Sequence, residues 1–301
     1  MISIPLRYLC TSLGAPTNMS KIATIGFFDG VHRGHRFLFA QLNELANERD
    51  LQPVIFTFCQ HPRQVLTGEC PPMLSTLAER EQLLKTHAEV RILDFTSVQH
   101  LTAEEFMLYL HKQEDVEVLL MGYDHHFGSD QLKGFSEYEK VARRVGLRVE
   151  RAHECLVDAL PVSSTRIRKL LNEAQIRQVN RLLGYEYSLT GVVEHGNGIG
   201  NQIGFPTANI QIDVIKHLPA SGVYTAHTQI DGVVYSALVN IGNNPTIGNE
   251  RLSVEAHIVG YQGDLYGQQL TIYFSDFVRS EQKFASLADL QRQIEKDMQM
   301  L

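Results

Sequence analysis

The sequence contains no tryptophan, and its four cysteines, Cys10, Cys59, Cys70 and Cys155, form no C-x-x-C pair. That scatter argues against a zinc knuckle and a disulfide framework and leaves ordinary reduced thiols. No run is apolar over the roughly 20 residues that a membrane span requires. The opening MISIPLRYLC does not have the layout of a signal peptide. The chain is therefore expected to be cytoplasmic, with no membrane partner. A basic surplus is missing too, since 27 lysines and arginines against 34 aspartates and glutamates leave a net charge of −7. Broad nucleic-acid binding needs positive surface to displace the counterions of phosphates, so no nucleic-acid partner is expected, while a local basic pocket stays open. Internal repeats, low-complexity tracts and long flexible linkers are also missing.

What is present is a chain of 301 residues, 44% hydrophobic and 20% charged. This is the composition of a globular protein, about two domains long at roughly 150 residues each. From Lys21 to about Arg151, short strand-like runs (KIATIGFF, PVIFTF, RILDF, VEVLLM, LRVE) alternate with helical ones. The run RFLFAQLNELANERD sets Leu38, Leu42 and Leu45 on one helical face; TAEEFMLYLHKQ and SEYEKVARRVG are also helical in pattern. Strand-helix alternation with apolar strands predicts an α/β fold with a Rossmann-type parallel sheet covered on both faces.

Past about Gly184 the period changes to two. The run GVYTAHTQIDGVVYSALVNIG reads as two strands around Asp231-Gly232, the pair that favours a tight hairpin because both central residues take positive φ. Two further alternating strands and a helix in SLADLQRQIEKDMQM predict an antiparallel barrel or sandwich closed by a C-terminal helix. The segment TRIRKLLNEAQIRQVNRLLG reads as helical and joins the halves, with the boundary near Tyr185 and domains over 1–185 and 186–301.

The stretch TIGFFDGVHRGH, residues 24–35, stands where the first strong strand ends and a helix begins. Ligands of doubly wound sheets bind at that end, and the helix offers free backbone N–H groups there. Gly26, Asp29-Gly30 and Gly34 permit tight turns and close approach to a phosphate, and His32 and His35 sit where they can donate to phosphate oxygens as charge builds. Neither a Walker A sequence nor G-x-G-x-x-G occurs here, which favours nucleotidyl transfer over a P-loop kinase or a dinucleotide dehydrogenase. Read alone, the histidine pair also fits a surface turn, or a metal site still lacking its third ligand.

The segment GFFDGVHRGH resembles the adenylyltransferase signature of the bacterial bifunctional riboflavin kinase/FMN adenylyltransferases. The likeness continues through FTFCQHPR, GYDHHFG, VSSTRIRKLL, GFPTANI, NIGNNPT, VEAHI and RSEQKF, in family order over essentially the whole chain. For the first half the resemblance implies a nucleotidylyltransferase-like domain that transfers AMP from ATP to FMN, giving FAD and pyrophosphate. It assigns His32 and His35 to phosphate stabilisation, together with Gly26, Phe28, Asp29 and Gly30 around them. Ser164, Thr165 and Arg168 fall in its second phosphate motif. His61 and Asp124 fall at flavin-contacting positions, Asp124 alternatively at a nucleotide contact. By residue type alone, Ser164–Arg168 also fits a capped helix start, Asp29 a turn former and His61 a loop residue.

For the second half the resemblance implies a riboflavin kinase-like barrel that moves the γ-phosphate of ATP to the 5′-hydroxyl of riboflavin. Thr207 and Asn209 alternate along an extended run and offer hard oxygen ligands for Mg²⁺ and phosphate. Gly204 belongs to the same loop, Glu255 matches the general base, and Arg279 matches a flavin-site residue. Glu255 also reads as a solvated strand residue and Arg279 as a surface charge. One departure stands out: the family usually has Arg after the loop glycine, and this chain has Asn201 after Gly200. Two rival readings follow: an FMN adenylyltransferase whose C-terminal domain is a weakened kinase or flavin-binding module, or a flavin sensor with a degenerate first half. The intact His32, His35, Thr207, Asn209 and Glu255 speak against the second. Riboflavin, FMN, FAD and ATP are thus the expected small-molecule partners.

Overall fold

Lys21–Ile25 (β1) is buried at every position, as expected of a central strand in a parallel sheet covered on both faces. The computed structural model describes residues 19–196, 200, 203–243 and 252–301. After β1 follow α1 (Arg33–Arg49), β2 (Gln52–Phe58), α2 (Pro62–Thr67), α3 (Leu77–Lys85), β3 (Glu89–Leu93) and α4 (Phe95–Val98). Then come α5 (Ala103–Gln113), β4 (Val116–Met121), α6 (Phe135–Val145), β5 (Arg148–Arg151) and a small hairpin of β6 (Leu156–Val157) and β7 (Leu160–Pro161). The five-stranded sheet runs β3-β2-β1-β4-β5 with every neighbour parallel.

Alternate residues of each strand feed two cores. Ala23, Ile25, Val54 and Phe56 pack with Phe106, Met107, Leu110 and Tyr138 on one face. Ile22 and Ile55 pack with Leu38, Phe39 and Leu42 of α1 on the other. Each such side chain contributes about 1.5–3 kcal/mol by leaving water. Local chemistry starts the helices: Thr76 with Glu79, and Thr102 with Glu105, form reciprocal capping boxes at α3 and α5.

The chain divides into two compact units, Met1–Ser163 and Ser164–Leu301. The second opens with α7 (Ser164–Asn172) and α8 (Ile176–Leu183), followed by β8 (Ser188–Glu194), β9 (Ala208–Ile212), β10 (Gly222–Ile230) and β11 (Val233–Asn243). After these come β12 (Leu252–Ile258), β13 (Gln269–Arg279) and α9 (Leu287–Asp297). The choice between barrel and sandwich resolves to a closed antiparallel barrel, β10-β11-β12-β9-β8-β13. Asp231 (φ 51°) and Gly232 (φ 81°) make its tight hairpin, and Ile230 faces Val233 across it.

The joining segment is two helices. Ala174 takes φ 55° between them, and the Ala174 N–H donates to Leu171 O at 3.1 Å. Both helices belong to the second unit: Asn180 Nδ2 donates to Phe274 O at 2.8 Å, and Ala220 N–H to Leu171 O at 3.0 Å. The change of period near Tyr185 therefore marks where barrel strands begin, well after the compact unit itself begins at Ser164.

Candidate active sites

In the first unit the chain leaves β1 through a strained turn. Phe28 (φ 56°), Gly30 (φ 74°) and Val31 (φ 37°) all take positive φ. The left-handed region is costly for a β-branched residue, and such strain persists only where the surroundings enforce it. Asp29 is part of that enforcement. Its buried carboxylate accepts from the Leu74 and Ser75 N–H groups, both at 3.0 Å, and from Ser75 Oγ at 3.2 Å. Ser75 Oγ in turn accepts from the Gly30 N–H at 2.9 Å. A carboxylate accepts hydrogen bonds, as phosphate oxygens do, so Asp29 serves a phosphate site by fixing the turn.

The turn delivers His32 and His35 to the head of α1. His32 is the N-cap, and its Nδ1 accepts from the His35 N–H at 3.4 Å. The two rings stack with centroids 3.6 Å apart, and Phe28 meets His35 edge-on at 5.2 Å. Burial, reinforced by the neighbouring His32, holds His35 well below the usual imidazole value, and its Nδ1 is buried without a hydrogen-bond partner. An incoming anion reverses that balance, because negative charge beside an imidazole favours its protonated, doubly donating form. Gly26 lies against the same ring system: a Cβ there would stand 2.7 Å from the Phe28 ring.

His61 caps α2, its Nδ1 accepting from the Arg63 N–H at 3.1 Å, and its ring meets Phe27 edge-on at 4.6 Å. The guanidinium of Arg80 lies 4.0 Å from the Phe27 ring centroid and is 1% exposed. Burial lowers Arg80 to about 10 against the opposing pull of Asp29. Sequence reasoning passes over Arg80, because one arginine in a helix as charged as LAEREQLLK carries no signal of burial. Asp124 is exposed in the loop after β4, at the wall of a cavity of about 300 Å³.

In the second unit Ser164 and Thr165 open α7, with Arg168 one turn on. The barrel holds the other group of predicted residues. On β12, Val254 and Ala256 point into the core, 2% and 0% exposed, while Glu255 and His257 lie on the opposite face, half-buried. Glu255 pairs in register with Asn209 of β9 and with Asn240 of β11. Burial raises the Glu255 carboxyl above its ordinary value. His257 Nδ1 lies 2.8 Å from the Pro206 carbonyl oxygen, which ties the Gly204–Thr207 segment to the Glu255 strand; Gly204 itself has φ 85°. A Cβ at Gly196 would come within 1.9 Å of Asn209 Nδ2, so no larger residue fits beside that amide.

Arg279 takes a different setting from an open surface charge. Its Nη2 lies 2.8 Å from Asp297 Oδ2 of α9, its Nε donates to the same carboxylate, and Asp297 is 3% exposed. Asn201 and the last three residues of the NIGNNPT motif lie outside the described residues. Among the described residues no group of three or more His, Cys, Asp or Glu side chains gathers to hold a metal by themselves. Cys59, Cys70 and Cys155 are in no disulfide, and among the described residues no helix is long and apolar enough to cross a membrane.

An α/β sheet with a histidine-capped helix head, and a separate closed barrel with a desolvated carboxylate opposite an asparagine, define a two-site phosphate-transferring enzyme. The family comparisons make this particular. The FAD synthetase family description matches residues 15–166 and the riboflavin kinase description residues 183–301. A bifunctional riboflavin kinase/FMN adenylyltransferase of Pseudomonas fluorescens is 36% identical over 288 residues, covering 94% of this chain and 92% of that protein. Its counterpart in Listeria monocytogenes is 32% identical with the same coverage, and that of Escherichia coli K12 31% identical over 92% of this chain and 90% of its own. A crystal structure described as a macrolide-efflux protein from Streptococcus pneumoniae superposes with a TM-score of 0.86 at 30% identity, covering 95% of this chain and 94% of that one. This chain belongs to the bifunctional riboflavin kinase/FMN adenylyltransferase family.

Proposed function

We infer that this protein carries out both reactions of its family, phosphorylating riboflavin to FMN with ATP and then adenylylating FMN to FAD with release of pyrophosphate. The observation that carries this is that each unit holds its own desolvated reacting group: His35 stacked on His32 at the head of α1, and Glu255 opposite Asn209 in the barrel. We assign adenylyl transfer to residues 1–185 and phosphorylation to 186–301.

In the first reaction an FMN phosphate oxygen attacks the α-phosphorus of ATP in line. His32 and His35, with the N–H groups at the head of α1, stabilise the charge that builds on the phosphates. Ser164, Thr165 and Arg168 are assigned to the departing pyrophosphate through their motif, hydroxyls and a guanidinium being suited to phosphate oxygens. His61 and Asp124 are assigned to the flavin.

In the second reaction Glu255 accepts the proton of the riboflavin 5′-hydroxyl as that oxygen attacks the γ-phosphorus; a carboxylate withdrawn from water is the stronger base. A hydroxyl from Thr207 and an amide oxygen from Asn209 fit Mg²⁺, a hard cation that binds through few protein oxygens and completes its shell with phosphates and water. Bound there, Mg²⁺ would neutralise charge on the ATP phosphates. Gly204 leaves room for those phosphates, and Arg279, braced by Asp297, borders the flavin end. The reactions belong in the cytoplasm, where ATP is abundant, with riboflavin, FMN, FAD and ATP as substrates and products.

Incubation with riboflavin, ATP and Mg²⁺, with a parallel reaction from FMN and chromatographic separation of the flavins, tests this directly. FAD is expected from both. FAD from FMN alone would leave a weakened kinase, the outcome that Asn201 in place of the family arginine would explain, and no product from either would overturn the reading.

A further inference from the structure

The segment that leads into β9 runs past the end of the barrel ladder. The last pair between β9 and β12 is Ala208–Ala256, with Asn209–Glu255 beside it, and Thr207 lies one residue beyond. Pro206, before it, has no N–H to offer a longer ladder. The tie that continues in its place comes from a side chain. His257 Nδ1 lies 2.8 Å from the Pro206 carbonyl oxygen, and the His257 ring meets Phe205 edge-on with centroids 5.3 Å apart. A carbonyl oxygen only accepts, so His257 Nδ1 carries the proton and donates it.

The donor itself stands on a firm base. Its neighbours Ala256 and Ile258 are buried in the core, and His257 pairs in register with Leu238 of β11. On the other side of the segment the Phe205 N–H donates to Gly200 O at 2.8 Å. A Cβ at Gly200 would stand 2.2 Å from Phe205 O, so that approach requires glycine. Thr207 is therefore set between two fixed points, the held carbonyl of Pro206 just before it and the Ala208–Ala256 pair just after. The direction of its hydroxyl follows from both. Glu255 lies two residues from His257 on the same face of β12. One strand thus carries the group assigned as base and the group that orients the loop bearing an assigned Mg²⁺ ligand. Side chains that fix the ligands of a metal without touching it govern its affinity.

We propose that His257 is a positioning residue for riboflavin phosphorylation: by holding the Pro206 carbonyl it aims the Thr207 hydroxyl at the Mg²⁺ and phosphates of ATP. This rests on the reading of the barrel as the phosphorylating unit. Plain packing of the His257 ring against Phe205 would predict a different order among variants, and the experiment separates the two.

Three variants of the full chain are compared, His257→Asn, His257→Gln and His257→Phe. Asn carries an N–H donor on the atom next to Cγ, where Nδ1 is; Gln carries it one bond further out, and Phe keeps a ring against Phe205 without a donor. The KM for ATP, the KM for riboflavin and kcat are measured in FMN formation. Hydrogen–deuterium exchange of the peptide 203–210 is followed against Mg²⁺·ADP concentration, which reads binding at the barrel without turnover. Exchange in the peptide 223–241 reports that the barrel is folded. In Phe and Gln the KM for ATP and the Mg²⁺·ADP concentration that half-protects 203–210 are expected to rise about tenfold, the scale of losing an outer partner of a metal ligand. Both should recover to within about twofold in Asn, the donor being restored in place, with the KM for riboflavin unchanged in all three. Unchanged ATP and Mg²⁺·ADP values in Phe, equal losses in Asn and Phe, an equal rise in the KM for riboflavin, or no protection of 203–210 in the parent would each overturn the proposal. If Phe loses protection over 223–241, the Asn and Gln pair decides, and equal affinities in the two would overturn it. A parent protein that makes no FMN from riboflavin would remove the functional reading and the proposal together, whereas phosphorylation indifferent to His257 would remove the proposal alone.

Discussion

His35 and Glu255 are both withdrawn from water, and the same physics prepares them for opposite tasks. Burial drives the proton off the histidine and onto the carboxyl, since in each case the charged form is disfavoured. The histidine then gains most from an arriving phosphate, and the carboxylate gains most from a proton to accept. His35→Ala is expected to slow FAD formation from FMN by about 10²- to 10³-fold and to leave FMN formation from riboflavin intact, read by chromatography of the two products. Glu255→Gln is expected to do the reverse, with a loss of about 10²- to 10⁴-fold in phosphorylation.

The sign of the Glu255 shift makes a further prediction at the same scale. Its folded value lies above its unfolded one, so its contribution to stability is complete below the unfolded value and is lost as pH rises through the folded value. Glu255→Gln should therefore raise Tm at neutral pH, where the parent must bury a charge. The gain should disappear below about pH 4, where both states are protonated. The phosphorylation rate of the parent should fall as acid protonates Glu255, with its acid limb above the ordinary carboxylate range.

At the scale of elements, two acidic residues, Asp29, read from the sequence as a turn former or phosphate-site residue, and Asp297, which the sequence reading passed over, prove to be ties between segments. Asp29 fastens the strained turn of residues 28–31 to the Leu74–Ser75 segment. Asp29→Ala strands two buried N–H groups and is expected to cost roughly 3 kcal/mol or more, lowering the unfolding midpoint and slowing FAD formation more than FMN formation. Asp297 holds Arg279 and thereby binds α9 to the last barrel strand. Removing one partner of a buried ion pair costs about 3–5 kcal/mol, so Asp297→Ala should destabilise the barrel unit, read in denaturant unfolding, and weaken phosphorylation. The break between α7 and α8 belongs to this scale too. Glu173, Ala174 and Gln175 include neither glycine nor proline, so a continuous helix is the natural reading, and packing on Phe274 and Ala220 overrides it.

At the scale of the molecule, each unit contains its own reacting group, and the product of one reaction is the substrate of the other. A mixture of the His35→Ala and Glu255→Gln proteins should therefore make FAD from riboflavin when neither does so alone, through FMN released into solution. Absence of FAD from the mixture, with each protein retaining its single activity, would count against free passage of FMN.

The amino-acid sequence by itself determined the alternation of strands and helices, the hairpin at Asp231-Gly232, the start of α1 at the His32–His35 motif and the face that Glu255 shares with His257. These follow from periodicity, turn chemistry and capping, all of which act over a few residues. Only the tertiary structure decided that Asp29 is consumed by Ser75, 46 residues away, that Arg279 is consumed by Asp297 and that Arg80 lies buried over Phe27. A side chain's partners across the fold set its charge state and its freedom to meet a ligand, and no local pattern encodes which distant segment supplies them.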